Sequence, residues 1–256
     1  KKIKYINKII KPFYKFAFND SKNNLVNIFH NDSDKNTFIK MSITNSRQTK
    51  TIEGSGVNID FYKNTILREF NKNINLLFPA RIIKEKGIVE LIDACNDLWN
   101  DNYRFTLNIA GEIDKQNRSY LKNKYYKYVQ KNQNIIFLGK CNNMIEVYKK
   151  MDIVILPSWR EGLSKSLLEA AAMSLPIITT NVPGCNNIIT NGYSGLLVPL
   201  KNKEKIKSAI KKYFHNPELA LKFGENARKK VCKRFTIEII NNKILKIYDD
   251  FLNINI

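Results

Sequence analysis

From residue 74 onward the sequence predicts an α/β fold, a Rossmann-like doubly wound parallel sheet. Three observations carry that expectation. Short apolar runs alternate with amphipathic stretches, the rhythm of successive β-α units. The runs are brief and lack polar alternation, as strands buried on both faces do. Of the 256 residues, 43% are hydrophobic and 26% charged, which supplies one or two ordinary cores and rules out a disordered chain. In order, the strands are expected at Ile74–Pro79, Phe105–Ala110, Ile135–Leu138, Ile153–Leu156, Ile177–Thr179 and Leu196–Val198. Helices are expected between and after them, over Ile88–Leu98, Ser119–Val129, Met144–Lys150, Ser164–Met173, Lys203–Phe214 and Pro217–Val231. A last amphipathic helix over Ile237–Leu252 is expected to leave the sheet and reach toward residues 1–53. Ligands of such sheets sit beyond the carboxyl ends of the strands, so chemistry is to be sought in the loops after Pro79, Ala110, Leu138 and Pro157.

Residues 1–53 read differently. They are aromatic and Lys-rich, with two short apolar stretches and no regular strand-helix alternation. The segment Gly54-Ser55-Gly56-Val57-Asn58 has the turn chemistry of a linker, and its lone G-x-G is too weak to be a phosphate loop. The sequence therefore divides into a separate piece over 1–53 and the β-α domain over 54–256, final helix included.

The formal net charge of +20 raises nucleic acid as a partner, since a basic face gains affinity by releasing counterions from phosphates. The kind of base argues against it. Only eight of the 43 basic residues are Arg, the side chain suited to bidentate phosphate and guanine recognition, and the lysines are scattered. Surface lysines do suit peripheral contact with an anionic membrane leaflet, each contributing on the order of 1 kcal/mol. No apolar run reaches the roughly 18 to 20 residues that cross a bilayer, and the opening from Lys1 lacks the apolar segment and cleavage site of a signal peptide. Cys95, Cys141, Cys185 and Cys232 are isolated, matching neither a metal cluster nor a disulfide framework. A cytosolic protein with reduced thiols is expected.

Two constellations carry chemistry. Pro157-Ser158-Trp159-Arg160-Glu161-Gly162-Leu163-Ser164-Lys165-Ser166-Leu167-Leu168-Glu169 places two carboxylates eight positions apart across a strand-loop-helix junction. With a helix starting near Gly162, Glu169 lies two turns up, about 10 Å from the start at roughly 1.5 Å per residue. Free amides at the helix start can hold a diphosphate, leaving one carboxylate for a sugar and the other for ribose hydroxyls. Spacing alone equally allows a first-turn acid complementing the helix dipole and a solvated helix residue. The second constellation, Arg81-Ile82-Ile83-Lys84-Glu85-Lys86-Gly87, follows the first strong strand. Cations there can neutralise a departing diphosphate, and preorganised charge of this kind is often the largest catalytic contribution. Lys84 reads as an ordinary basic turn residue, whereas Arg81 and Lys86 read as ligands.

Arg81-x4-Lys86-Gly87, the pair Glu161-x7-Glu169, Leu175-Pro176-Ile177-Ile178-Thr179-Thr180-Asn181-Val182-Pro183-Gly184, and Gly192-x2-Gly195-Leu196-Leu197-Val198-Pro199 together resemble the family 4 retaining glycosyltransferases of GT-B fold. The likeness covers about residues 50–254. It implies that Arg81 and Lys86 bind the donor diphosphate, that Glu161 contacts the transferred sugar, and that Glu169 binds the ribose. It implies further that Gly162, Leu163 and Ser164 offer backbone amides, and that Gly111 and Gly139 lie near the nucleotide, Gly139 close to the base. A nucleotide-sugar donor, a lipid-linked or polysaccharide acceptor, and no metal or other cofactor are what it leads one to expect. Against the two-domain GT-B pattern, this sequence has the carboxy-terminal half with only a remnant of the amino-terminal, acceptor-binding domain over 1–53. Val26-Asn27-Ile28-Phe29-His30-Asn31 looks like the strand before the domain linker, and Lys1 is not expected to be a natural start.

Several features are expected to be decoys. Asp32-Ser33-Asp34 copies a D-x-D metal motif but reads as a helix-capping loop. His30 reads as structural. The sequons at Asn31 and Asn117 are idle in a cytosolic chain, and Tyr120, Tyr125, Tyr126 and the carboxy-terminal aromatics read as core or helix-face residues. Two functions stay open at this stage: a sugar transferase, and a nucleotide-sugar-binding module without independent activity.

Overall fold

A computed structural model describes residues 2–18, 25–63, 73–114 and 129–254. The chain separates into two compact units, one of residues 1–56 with 237–256 and the other of Val57–Thr236.

The second unit is built on a six-stranded sheet, every neighbouring pair parallel, in the order β5-β4-β3-β6-β7-β8. Its strands are β3 (Ile74–Pro79), β4 (Phe105–Ala110), β5 (Ile135–Gly139), β6 (Ile153–Leu156), β7 (Ile177–Thr180) and β8 (Leu196–Val198). The chain enters at β3, winds outward through β4 and β5, then crosses back to lay β6 against the other side of β3. Leu76, Leu77, Ile153, Val154, Ile155, Ile177 and Ile178 are fully buried, which is why these strands read as unbroken apolar runs. Around them lie the helices Ile88–Asn100, Met144–Lys149, Lys165–Ala172, Lys203–His215 and Pro217–Arg234. Ile88, Leu91, Ile92, Cys95 and Leu98 form the buried stripe of the first, at helical spacing. The helix expected over Ser119–Val129, the sequon at Asn117 and Tyr120, Tyr125 and Tyr126 lie outside the described residues, apart from a helical stretch at 129–131.

The helix Lys165–Ala172 begins three residues later than a start at Gly162. The Ser164 N–H donates to the Gly184 carbonyl at 3.3 Å, so the preceding residues are held in a loop beside the turn after β7. Glu169 is therefore the fifth helical residue, little more than one turn in, and it is 6% exposed instead of solvated.

The other unit corrects the expectation of no strand-helix alternation. Here β1 (Asn27–Phe29) runs parallel to β2 (Thr49–Thr51), with the helix Asp32–Lys40 between them. Three-residue strands are too short to declare a period in sequence. The helix Lys2–Phe18 precedes this β-α-β unit, and Asn27 Nδ2 donates to the Phe18 carbonyl at 2.9 Å. Phe18, Phe29 and Tyr14 pack around Phe38 at ring separations of 5.2 to 6.3 Å. Asn31, not an aspartate, caps the helix Asp32–Lys40, accepting from the Asp34 N–H at 2.8 Å. The Asp-Ser-Asp run is its first turn, with Asp32 on Lys35 and Thr51 at 2.6 Å each. The closing helix Ile237–Ile254 falls in this unit by its contacts: Ile247 and Phe251 wall a small cavity with Leu25 and Val26. Among the described residues no helix is long and apolar enough to cross a membrane.

The loops after β3 and β6 are fastened together. A 3-10 turn over Lys84–Lys86 ends on Gly87 at φ 74°, and a Cβ there would stand 2.0 Å from the Pro157 carbonyl oxygen. Glu85 adds two bonds, its carbonyl accepting from the Trp159 N–H at 2.7 Å and the Ser158 hydroxyl at 3.2 Å. Gly87→Ala thus combines a left-handed backbone with a backbone clash, and a loss of about 1–3 kcal/mol is expected from the strain alone. Urea unfolding with the sheet unit's melting followed by circular dichroism checks this; an unchanged midpoint contradicts it.

Candidate active site at the carboxyl edge of the sheet

An open cavity of about 660 Å3 lies at the carboxyl ends of β3, β4 and β5 and reaches the helix Lys165–Ala172. Arg81 and Ala80 come to it from the end of β3, Gly111, Glu112 and Asp114 from the end of β4, and Lys140 and Cys141 from the end of β5. Met144, Tyr148, Ser166 and Glu169 close it from two helices. Gly111 is there because nothing larger fits: a Cβ would lie 2.0 Å from the Ala80 carbonyl oxygen, and the backbone of the two loops touches at this point.

Of the residues singled out in the sequence, Arg81, Gly111 and Glu169 line this cavity. Arg81 Nη1 is 2.9 Å from Asp114 Oδ2, so the cation faces a carboxylate of the same cavity wall. Lys86 and Glu161, 75 positions apart, meet in an ion pair of 2.6 Å, with side chains 20% and 10% exposed. That pair ties the turn after β3 to the loop after β6. Gly162 and Leu163 follow Glu161 in that loop. Ser164 lies at the helix start, and its amide is engaged by Gly184, so it does not stand open to a ligand as expected. Gly139 ends β5 at φ 65° and accepts from the Gly111 N–H at 2.8 Å; its successors Lys140 and Cys141, not Gly139 itself, face the cavity. His30, read as structural, has Nδ1 3.3 Å from the Ile52 carbonyl oxygen, in the other unit.

Sequence reasoning missed Tyr148 altogether. Its hydroxyl is 3.1 Å from both Glu169 Oε2 and the Ser166 carbonyl oxygen, and the side chain is fully buried. Nothing in the spacing of a six-residue helix points to it. Glu112 and Asp114 had a usable signal, being acidic residues just past a strand end. Burial raises the Glu169 carboxyl above its ordinary range, opposed by hydrogen bonds from Tyr62 and Tyr148 and by the charge of Lys165. Both tyrosines are pushed up in turn, by burial first and then by the Glu169 charge. Cys185 is a buried thiol pushed up to about 12 by burial, an inert core residue.

The fold and the site together define an α/β protein with a doubly wound parallel sheet and an open cavity, lined by Arg81, Lys140 and a buried carboxylate, at the edge where such sheets take ligands. The comparisons with known proteins narrow this. Residues 63–230 match the family described as glycosyl transferases group 1, and the chain belongs to that family. It is 30% identical over 182 residues to the Staphylococcus aureus capsular polysaccharide biosynthesis glycosyltransferase CapM, covering 71% of this chain and 47% of that protein. It is 26% identical over 255 residues to the N,N'-diacetylbacillosaminyl-diphospho-undecaprenol alpha-1,3-N-acetylgalactosaminyltransferase of Campylobacter jejuni, covering 95% of this chain and 63% of that one. The chain spans about half the length of the curated relatives it matches. Among solved structures, a glycosyltransferase from Rickettsia africae superposes with TM-score 0.81 at 22% identity, over 95% of this chain and 67% of that one. Anabaena Alr3699/HepE in complex with UDP and glucose superposes with TM-score 0.76 at 18% identity, over 88% and 62%. The fold is thus that of the carboxy-terminal half of a GT-B glycosyltransferase.

The raised Glu169 carboxyl has a stability consequence of definite sign. An acid whose folded pKa exceeds its unfolded value binds more protons when folded, so stability falls as pH rises from about 4.5 through the folded pKa. Glu169→Gln is expected to stabilise the protein at pH 7 to 8, with the gain shrinking as pH falls toward 4.5. Thermal melting of both proteins across that range checks it, and a pH-independent difference contradicts it.

Proposed function

We propose that this protein is the donor-binding part of a glycosyltransferase that moves a sugar from a nucleotide donor, UDP-linked, to a lipid-linked or polysaccharide acceptor with retention at the anomeric carbon. The observations that support the reading are that Arg81 and Glu169 line one cavity at the carboxyl ends of the strands, and that Lys86 and Glu161 pair between the loops that follow β3 and β6. Relatives named for capsular polysaccharide and for diphospho-undecaprenol-linked substrates support the setting, and the UDP complex of a fold relative supports the donor base.

In this reading the diphosphate replaces the partners that now neutralise the cations. Arg81 exchanges Asp114 for phosphate oxygens, and Lys86 turns its charge to the same group. As the bond between the anomeric carbon and the phosphate oxygen breaks, the electron pair leaves with the phosphate and the two cations stabilise it. The acceptor oxygen attacks from the face the diphosphate leaves, and its proton passes to a phosphate oxygen. Glu161, oriented by its hydrogen bond from Lys86, fixes hydroxyls of the sugar. Glu169 accepts from the ribose diol at the other end of the cavity. Surface lysines support peripheral contact of such an enzyme with the anionic inner face of a membrane.

A second reading rests on the share of the relatives that this chain matches, about half of their length: a nucleotide-sugar-binding module that transfers nothing until an acceptor domain completes the site. Holding both reactants in place accounts for roughly 7 to 11 kcal/mol of barrier lowering, which a donor site alone does not supply. Calorimetric titration with UDP, GDP and ADP tests the donor assignment, with UDP expected to bind tightest. Lys86→Ala and Glu161→Gln are each expected to weaken binding of a UDP-sugar about tenfold, the scale of one hydrogen bond to a charged group. Equal affinity for the three nucleotides, or for variant and parent, defeats the reading.

A further inference from the structure

The Glu169 carboxylate is held by an arrangement that donor binding alone does not require. Tyr148 Oη stands 3.1 Å from Glu169 Oε2 on the cavity wall and 3.1 Å from the Ser166 carbonyl oxygen. Tyr62 packs its ring edge-on to Tyr148, centroids 6.3 Å apart and planes at 69°. The segment carrying Tyr62 is bolted to the helix of Glu169 from behind. Arg228 Nη1 donates to the Tyr62 carbonyl at 3.0 Å and to the carbonyl of Ala172, which ends that helix. A buried carboxylate with this much fixed surrounding is constrained in direction, and a phenol has only one proton to share between two acceptors.

We propose that Tyr148 and Tyr62 are positioning residues for Glu169, aiming its carboxylate at a vicinal diol in the cavity. The proposal rests on the reading of Glu169 as the ribose ligand. When Glu169 is ionised, the Tyr148 proton points to Oε2, and the carboxylate keeps its remaining acceptor positions for the two diol hydroxyls. When Glu169 is protonated, its own O–H points to the Tyr148 oxygen and the phenol proton turns to the Ser166 carbonyl. The second state satisfies the protein internally and presents a poorer acceptor to the diol. Besides these two phenols, Lys165, at 3.9 Å from Oε1 on the same helix, is the charge that faces the carboxylate among the described residues. Diol recognition therefore belongs to the ionised state and is lost as pH falls. Tyr148 favours that state by donating to it, and Tyr62, packed on Tyr148, lowers the carboxyl in the same direction, so removing either hydroxyl moves the loss to higher pH.

The test compares UDP with 2',3'-dideoxy-UDP, by calorimetry on the chain of residues 1–256 between pH 5 and 8.5. The parent protein is expected to prefer UDP. Tyr148→Phe is expected to reduce that preference about tenfold, the scale of one hydrogen bond to a charged group, and to shift its pH midpoint upward while dideoxy-UDP affinity stays as in the parent. Tyr62→Phe, at a less buried position, is expected to act in the same direction and less strongly. If the parent does not distinguish the two nucleotides, Glu169 is not the ribose ligand and both readings fall. If the parent distinguishes them and both variants do so with an unshifted midpoint, the ribose reading stands and the positioning proposal is overturned.

Discussion

The reversal of strand order between β3 and β6 is the constraint on which the rest of the sheet unit depends. These two parallel strands are neighbours, yet the connection from β3 leads outward through β4 and β5, and the one from β6 leads the other way through β7 and β8. The cavity lies on one side of that reversal, at the carboxyl ends of β3, β4 and β5. The two loops are fastened by Gly87 against Pro157, by the Glu85 carbonyl accepting from the Trp159 N–H and the Ser158 hydroxyl, and by the Lys86–Glu161 ion pair.

Charge at this edge is balanced before any ligand arrives. Arg81 is paired with Asp114, Lys86 with Glu161, and Glu169 is hydrogen-bonded by a buried phenol. For Lys86, Glu161 and Glu169, which are largely buried, standing alone would carry a desolvation cost that their partners offset, whereas Arg81 is mostly exposed. A dianionic ligand then exchanges partners without creating charge from nothing. The unfavourable element is Glu169, whose ionised form the fold disfavours. A group kept at a cost to stability is what a binding site looks like energetically.

Much of this architecture was legible because each local pattern had one physical meaning. Ile153-Val154-Ile155-Leu156 is apolar without alternation and too short for a helix, and it is a central strand buried on both sides. β3 and β4 have the bounds their apolar runs suggest. The β1 and β2 strands were not legible, since three residues hold no period, and their pairing is fixed by contacts between residues more than twenty positions apart. In the site, Arg81, Lys86, Glu161 and Glu169 stood out by spacing. The Lys86–Glu161 pair, the Arg81–Asp114 pair and the Tyr148 hydroxyl did not, because each is created by the fold bringing distant loops together. The late start of the Glu169 helix has the same origin, in a bond from Ser164 to Gly184 twenty positions on.

The sheet unit also begins and ends at one doorway. The Val57 N–H donates to the Phe235 carbonyl at 2.9 Å, and Val57 pairs with Thr236 in a parallel bridge, so the two points where the chain crosses into the other unit lie side by side. A segment with adjoining ends can be lifted out of a chain, or set into another, without stretching either host. Exchange of the segment between those two points, 179 positions apart in sequence but adjoining in space, would carry the whole six-stranded sheet as one cassette.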